Sequence, residues 1–266
     1  MDQSTEAPFA RRVGTYVAVG DSFTEGLNDP YPGEPDRFRG WADRLAEHLA
    51  EHNPRLRYAN LAVRGKLLRQ IITDQVPAAI EMRPDLVTFC AGGNDIIRPG
   101  TDPDALAVEF DDGVRRLRGA GADVVIFTGF DPRDHRVGSR RLRGKAATFN
   151  MHLRAIADRR GCAMVDLWSL MPVFGDARAW YEDRLHLSPE GHRRMALRVA
   201  EVIGVPVKGD WREPWPADVP PVNRLNMYRE DLRWARTYLL PWIGRRATGR
   251  STGDGRTPKR PTPLPL

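Results

Sequence analysis

The 266-residue sequence has only two cysteines, Cys90 and Cys162, each inside an apolar run, so at most one bridge can form and a disulfide-stapled scaffold is excluded. No apolar run approaches the roughly 20 residues needed to cross a bilayer. The opening, MDQSTEAPFARRV, carries two acidic residues and lacks the apolar stretch of a secretory signal, so the cytoplasm is the expected compartment. Three signatures are also missing where a site would need them. The first strand is not followed by G-x-G-x-x-G, which argues against a dinucleotide site; there is no P-loop; and the serine after the first strand, in Gly20-Asp21-Ser22-Phe23-Thr24, lacks the second glycine of G-x-S-x-G, the nucleophile turn of α/β-hydrolases. Histidine is scarce, with six in all, which keeps the search for a general base short.

Positive charge is present but unevenly placed. Residues 1–206 hold 29 Lys and Arg against 29 Asp and Glu, whereas residues 207–266 hold 12 against 6, which accounts for the whole net charge of +6. The body is neutral and only its C-terminal part is basic. Within the body, short β-branched runs alternate with longer helical patterns. Strands are predicted at 15–20, 56–61, 85–91, 123–129 and 162–167, and helices at 41–51, 66–80, 103–120, 139–160 and 189–203. The run Val124-Val125-Ile126-Phe127 shows no polar alternation, as expected of a strand covered on both faces. The pattern predicts a three-layer α/β/α fold with five parallel strands, in which ligands bind at the carboxyl ends of the strands. The division expected is an N-terminal extension (1–13), a main domain (14–206), a Pro/Trp-rich segment with an amphipathic helix (207–244) and a basic, disordered tail (245–266).

The loops leaving those strands carry the candidate chemistry. Ser22 follows the first strand by one turn, where its hydroxyl and its own N–H can face the same crevice, which suits a nucleophile; the plain alternative is a helix cap. Of the histidines, His48, His52, His152 and His192 fall within predicted helices, leaving His135 and His186. His186 lies in Asp183-Arg-Leu-His186, a spacing that can bring a carboxylate against imidazole Nδ1 and leave Nε2 facing a hydroxyl. An exposed ion pair would look the same. Asn94, after two glycines, can aim its amide into the crevice, and Gly65 can offer a backbone N–H unobstructed by a Cβ. With the Ser22 N–H these make three candidate oxyanion donors. Phe23, Tyr31, His135, Phe174 and Trp180 are candidate substrate contacts, on loops (28–40 and 172–180 among them) positioned to wall the site.

Gly20-Asp21-Ser22, Gly65, Gly93-Asn94-Asp95 and Asp183-x-x-His186 together resemble, in order, the four blocks of the SGNH (GDSL) hydrolase family, over residues 14–204. The resemblance implies a flavodoxin-like fold; Ser22, His186 and Asp183 as nucleophile, base and orienting acid; Ser22, Gly65 and Asn94 as oxyanion donors; and no metal or other cofactor. It also implies carboxylic ester substrates, among them lipids, lysophospholipids, thioesters and acetylated sugars. A metal-dependent phosphoesterase also places Gly-Asp and Gly-Asn-Asp after strands, but it would want histidines near the first aspartate, and none precedes His48.

The C-terminal part suggests a different class of function. Leu225, Tyr228, Leu232, Ala235, Leu239 and Trp242 form a stripe expected to pack on the body, with Pro241 ending the helix near Leu240. The alternative is peripheral contact between this basic helix and a membrane surface. No specific nucleic-acid binding is expected, because the basic tail lacks interleaved aromatics and a recognised motif.

Overall fold

The computed structural model describes residues 9–132, 140–217 and 224–266. Among the described residues eight strands occur: β1 (Thr15–Gly20), β2 (Pro30–Tyr31), β3 (Glu34–Phe38), β4 (Arg57–Asn60), β5 (Leu86–Cys90), β6 (Asp123–Phe127), β7 (Ala163–Val165) and β8 (Arg260–Pro265). The main sheet has the order β7-β6-β5-β1-β4-β8, and β2 and β3 form a separate hairpin. β1, β4, β5, β6 and β7 are parallel, the five strands expected from the sequence. The chain leaves β1 toward one side and later returns to the other, so strand order reverses at β1, and the crevice beyond its carboxyl end is where such sheets bind ligands.

Alternation along β1 divides the core. Tyr16 and Ala18 belong to one buried cluster, with Trp41, Leu45 and Leu49 of the Gly40–His52 helix and Met195 and Val199 of the Pro189–Val202 helix. Val17 and Val19 face the other cluster, with Phe110 and Val114 of the Pro103–Gly119 helix and Leu153 and Ile156 of the Arg140–Arg160 helix. Burial on both sides explains why the strands read as continuous apolar runs. Ala10 and Val13 also join the first cluster, which therefore begins before residue 14.

The 28–40 segment, expected as a covering loop, contains the β2–β3 hairpin. Its two ends meet at Gly26 and Gly40, both at positive φ, and a Cβ on either would lie within 2.4 Å of the other's Cα, so only glycine permits the crossing.

Three expectations for the C-terminal part are corrected. First, Pro241 does not end the helix. Residues Arg224–Trp234 are α-helical, Ala235–Leu239 form a π turn, and Leu240–Ala247 continue as α-helix. The wider turn sends the Leu240 N–H back to the Ala235 carbonyl, so the proline ring enters at the start of a fresh helical segment instead of clashing one turn back. The same solution occurs before Pro77, where a π turn spans Ile71–Gln75. Second, the stripe does not pack inward as a whole, because Tyr228 and Leu232 are exposed. Third, the tail is not disordered: β8 pairs antiparallel with β4 as a sixth strand, with Tyr58 opposite Leu264 and Asn60 opposite Arg260. Pro261, Pro263 and Pro265 recur every second residue, so their missing N–H groups fall on one edge; Pro265 lies opposite Arg57, and the register with β4 shifts between Tyr58 and Asn60. That outer edge cannot template another strand. Lys259 anchors the tail by donating to the Phe38 and Arg39 carbonyls and to Asp43 Oδ1 at 2.7–2.9 Å. Asp43 is buried and also accepts from the hydroxyls of Tyr31 and Tyr58.

Candidate functional site

At the carboxyl end of β1 the chain turns directly into the short Ser22–Glu25 helix, capped by Asp21, whose Oδ1 accepts from the Phe23 N–H at 3.1 Å. The turn is held from beneath by a side chain. Gln75, on the π turn, accepts from the Gly20 N–H and donates to the Gly20 carbonyl, both at 2.9 Å, as a neighbouring strand would. Asn150 does the same for Gly129 after β6. Buried amides thus take over where the ladder stops and satisfy backbone groups that would otherwise be orphaned.

Ser22 Oγ lies 2.8 Å from His186 Nε2, and His186 Nδ1 lies 2.7 Å from Asp183 Oδ2. The four-residue turn works because Arg184 adopts a left-handed φ of 58°, folding Asp183 back toward His186. Asp183 Oδ1 accepts from the N–H groups of Leu185 and His186 at 3.0 Å, and Oδ2 also accepts from Asn28 Nδ2 at 3.2 Å. Burial alone would push the Asp183 carboxyl up; the hydrogen bonds and charge of His186 and the two backbone donors more than offset this and hold it below the usual carboxylate range. It stays ionised and fixes the imidazole so that Nδ1 carries a proton and Nε2 can accept one.

Asn94 sits in the Gly93–Ile96 turn after β5. Its Nδ2 donates to Asp21 Oδ2 and to the Lys66 carbonyl, each at 3.1 Å, which places it between the Ser22 turn and the residue after Gly65. Gly65 is at φ 75°, and a Cβ there would fall 2.0 Å from Ser251 Oγ in the C-terminal tail. The neighbouring Arg64 is tied to the Ser22 helix: its N–H donates to Glu25 Oε2 at 2.6 Å and its guanidinium pairs with the same carboxylate. Asp21 is pushed up to about 6, mainly by burial, against which the Phe23 N–H and His186 act.

Ser22, His186, Asp183, Asn94 and Gly65, selected from separate stretches of sequence, therefore converge on one corner of the sheet. The aromatic candidates fare unevenly. Phe23 and Trp180 pack against Phe130, at 6.1 and 4.9 Å between ring centroids, and form a wall beside the serine. Phe174 is fully buried behind Phe130 and backs that wall instead of touching a ligand. Tyr31 is a further correction, since its hydroxyl is committed to Asp43 and its ring lies under Arg37. His135 lies outside the described residues. Among the described residues, no three His, Cys, Asp or Glu side chains converge to hold a metal ion.

The family model for GDSL-like lipases and acylhydrolases matches residues 18–194. The chain belongs to that family. Membership makes it a carboxylic ester hydrolase. Solved structures share the fold at low identity: TesA (24% identity, TM-score 0.59, covering 71% of this chain and 97% of its own), a putative GDSL-like lipase from Parabacteroides merdae (18%, 0.62, 72% and 96%) and the acetylxylan esterase Axe2 from Geobacillus stearothermophilus (19%, 0.56, 74% and 95%). No functionally curated protein matches the sequence. These structures are covered almost completely while about a quarter of this chain is not, and the family match stops well short of residue 207.

Several residues of the site lie outside the four blocks. Trp234, on the C-terminal helix, donates from Nε1 to the Asp183 carbonyl at 2.8 Å. Asp231 pairs with Arg184 at 2.7 Å, and the Arg184 guanidinium lies over the Trp234 ring. Gln75 and Asn28 likewise escaped sequence reasoning. Their one signal, a polar side chain at an apolar helical position or in a turn, is shared by many residues that do nothing of the kind.

Proposed function

We propose that this GDSL-family chain is a serine esterase in which Ser22 attacks the carbonyl carbon of a carboxylic ester. The observation that carries the reading is the continuous relay from Asp183 through His186 to Ser22, at 2.7 and 2.8 Å across 164 positions of sequence. His186 Nε2 takes the Ser22 proton as the Oγ–C bond forms, and Asp183 stabilises the resulting imidazolium. When the tetrahedral intermediate collapses, the C–O bond to the leaving alcohol breaks and His186 returns the proton to that oxygen. Water then attacks the acyl-enzyme by the same steps in reverse, freeing the acid and restoring Ser22.

The negative oxygen of the intermediate is received by the N–H groups of Ser22 and Gly65 and by Asn94 Nδ2. Both amide hydrogens of Asn94 already have acceptors. In this reading the oxyanion takes over the hydrogen now given to the neutral Lys66 carbonyl, while Asp21 keeps the other and prevents the amide from rotating. A hydrogen bond to a charged acceptor is about twice as strong as one to a neutral acceptor, so the exchange favours the intermediate over the resting state. The wall of Phe23, Phe130 and Trp180 suits an apolar acyl group or alcohol.

The test is hydrolysis of an ester series from acetyl to palmitoyl, with a thioester and a lysophospholipid, by the parent protein and by Ser22→Ala. A chain-length optimum that disappears in the variant is expected. Activity that survives Ser22→Ala but is abolished by a chelator would transfer the assignment to a metal-dependent phosphoesterase.

A further inference from the structure

Ten large hydrophobic side chains are exposed among the described residues, and six of them occupy two segments that touch: Tyr181 and Leu185 on the loop carrying His186, and Tyr228, Leu232, Leu240 and Ile243 on the C-terminal helix. The contacts between the segments are specific. Asp231 pairs with Arg184, Trp234 donates to the Asp183 carbonyl, and the Tyr238 hydroxyl donates to Glu182. One side of the helix therefore grips the loop, and the exposed residues lie on another.

The π turn makes that exposed side a single line. One α turn of 3.6 residues and one π turn of about 4.4 add up to roughly 8, so Leu232 and Leu240, eight residues apart, are stacked two turns from one another. Tyr228 is one turn before and Ile243 one turn after. In an uninterrupted α-helix Leu240 would be rotated away from this line. Arg229 and Arg233 run alongside, and Arg236 falls within the line, midway between Leu232 and Leu240; all three are exposed. Residues 224–250 contain seven arginines and two acidic residues, a balance of +5 against +6 for the whole chain. Charge and exposed apolar surface thus coincide on one helix beside the proposed active site.

We infer that this helix, with Tyr181 and Leu185, docks the enzyme on an anionic lipid bilayer. The apolar line enters the boundary between headgroups and acyl chains, and the arginines reach the phosphates at that level with their stems along the apolar surface. No helix among the described residues is long and apolar enough to cross a membrane, and the arrangement here is that of a helix lying in the surface plane. Two other occupants fit less well. A second copy of the chain would bring two basic helices together with nothing to neutralise them, and a nucleic acid would leave the apolar line without a partner. The inference deepens the esterase reading by setting Ser22 beside the surface that holds lipid esters. The docking itself does not depend on that reading.

The test is sedimentation of the full-length protein with phosphatidylcholine vesicles, with and without phosphatidylglycerol. Two variants are compared, the triple variant Leu232→Asp/Leu240→Asp/Ile243→Asp and the triple variant Arg229→Gln/Arg233→Gln/Arg236→Gln. The wild type is expected to prefer the anionic vesicles by roughly tenfold or more, a preference that weakens with salt, and each variant to lose at least about tenfold in affinity. Hydrolysis of a soluble acetyl ester should stay within about twofold of wild type in both, because none of the six residues touches Ser22 or its partners. Wild-type protein that stays in the supernatant, or variants that bind as well as wild type, overturns the inference. A concentration-dependent dimer that the aspartate variant dissolves also overturns it, in favour of self-association. If instead the wild type binds vesicles but cleaves no ester, the esterase reading falls and the docking surface stands.

Discussion

The two sides of the contact between Ser22 and His186 are built by different means. The serine side is made inside the sheet: β1 ends at Gly20, Gln75 continues its hydrogen bonding, Asp21 caps the next turn, and Glu25 fastens the loop of Gly65 through Arg64. These restraints come from the domain that the family model covers, although Ser251 of the C-terminal tail packs against Gly65. The histidine side is an outlying hairpin closed by the Trp180–Leu187 bridge, with a left-handed residue at its tip, and its outer restraints come from a helix beyond the family match. The difference shows that one half of the site is set by the common core, while the other is held in part by a segment beyond the family match. The two halves meet at His192, buried in the Pro189–Val202 helix. It accepts from the Trp41 N–H at Nδ1, and its Nε2 donates to the carbonyl of Leu27, just beyond the Ser22 turn.

The largest effects test whether the halves act as one unit. Ser22→Ala and His186→Ala should each lower kcat by about 10⁴-fold or more, and the double variant should lose little beyond either single one. Additive losses, read from kcat of the three variants, would break the proposed relay. Within the serine side, Asn94→Ala should lower kcat by roughly 10²–10³-fold with little change in KM. A change confined to KM would mean that Asn94 binds substrate without favouring the intermediate.

The joint between the halves should be sensitive to acid. Burial lowers His192 to about 4 in the folded protein, against a usual histidine value of 6.5. Between those values the unfolded chain binds a proton that the folded chain refuses. The resulting stability, about 3 kcal/mol at most, is fully present above pH 6.5 and is lost as pH falls toward 4. Urea unfolding from pH 7 to pH 4.5 should show this decline, and His192→Gln should flatten it. Asp21, pushed up to about 6, works in the opposite direction over much of the same range, so the decline becomes steeper in Asp21→Asn. The smallest effect concerns the histidine side alone. Trp234→Phe removes one neutral hydrogen bond to the Asp183 carbonyl, worth about 1 kcal/mol, and should reduce kcat by roughly fivefold. Its acid limb should also shift, because the loop that orients the imidazole is loosened; a helix that merely covers surface would leave the pH profile unmoved.

How much of this was legible follows the same division. The five parallel strands and their helices were readable because buried strands and amphipathic helices each impose a local period, and Ser22, Asn94, Gly65, Asp183 and His186 stood out because they fell where those periods broke. The C-terminal part resisted. Its proline-rich end looked like a chain unable to form structure, yet proline at every second position is compatible with an edge strand once β4 offers a partner. The π turn was hidden too, because a helical period read through it assigns Leu239 and Trp242 to the line that Leu240 and Ile243 in fact continue.

The sequence by itself determined the layered α/β body, the strand ends at which chemistry is placed, and the residue types of the proposed relay, since each depends on patterns spanning a few residues. Only the tertiary structure decided that Lys259 reaches the buried Asp43, that β8 closes the sheet, and that Trp234 and Asp231 hold the turn bearing His186. These contacts join residues from about 50 to more than 200 positions apart, and no local rule of spacing or propensity carries over such distances; what selects them is the set of edges, donors and carboxylates left unsatisfied once the body has folded.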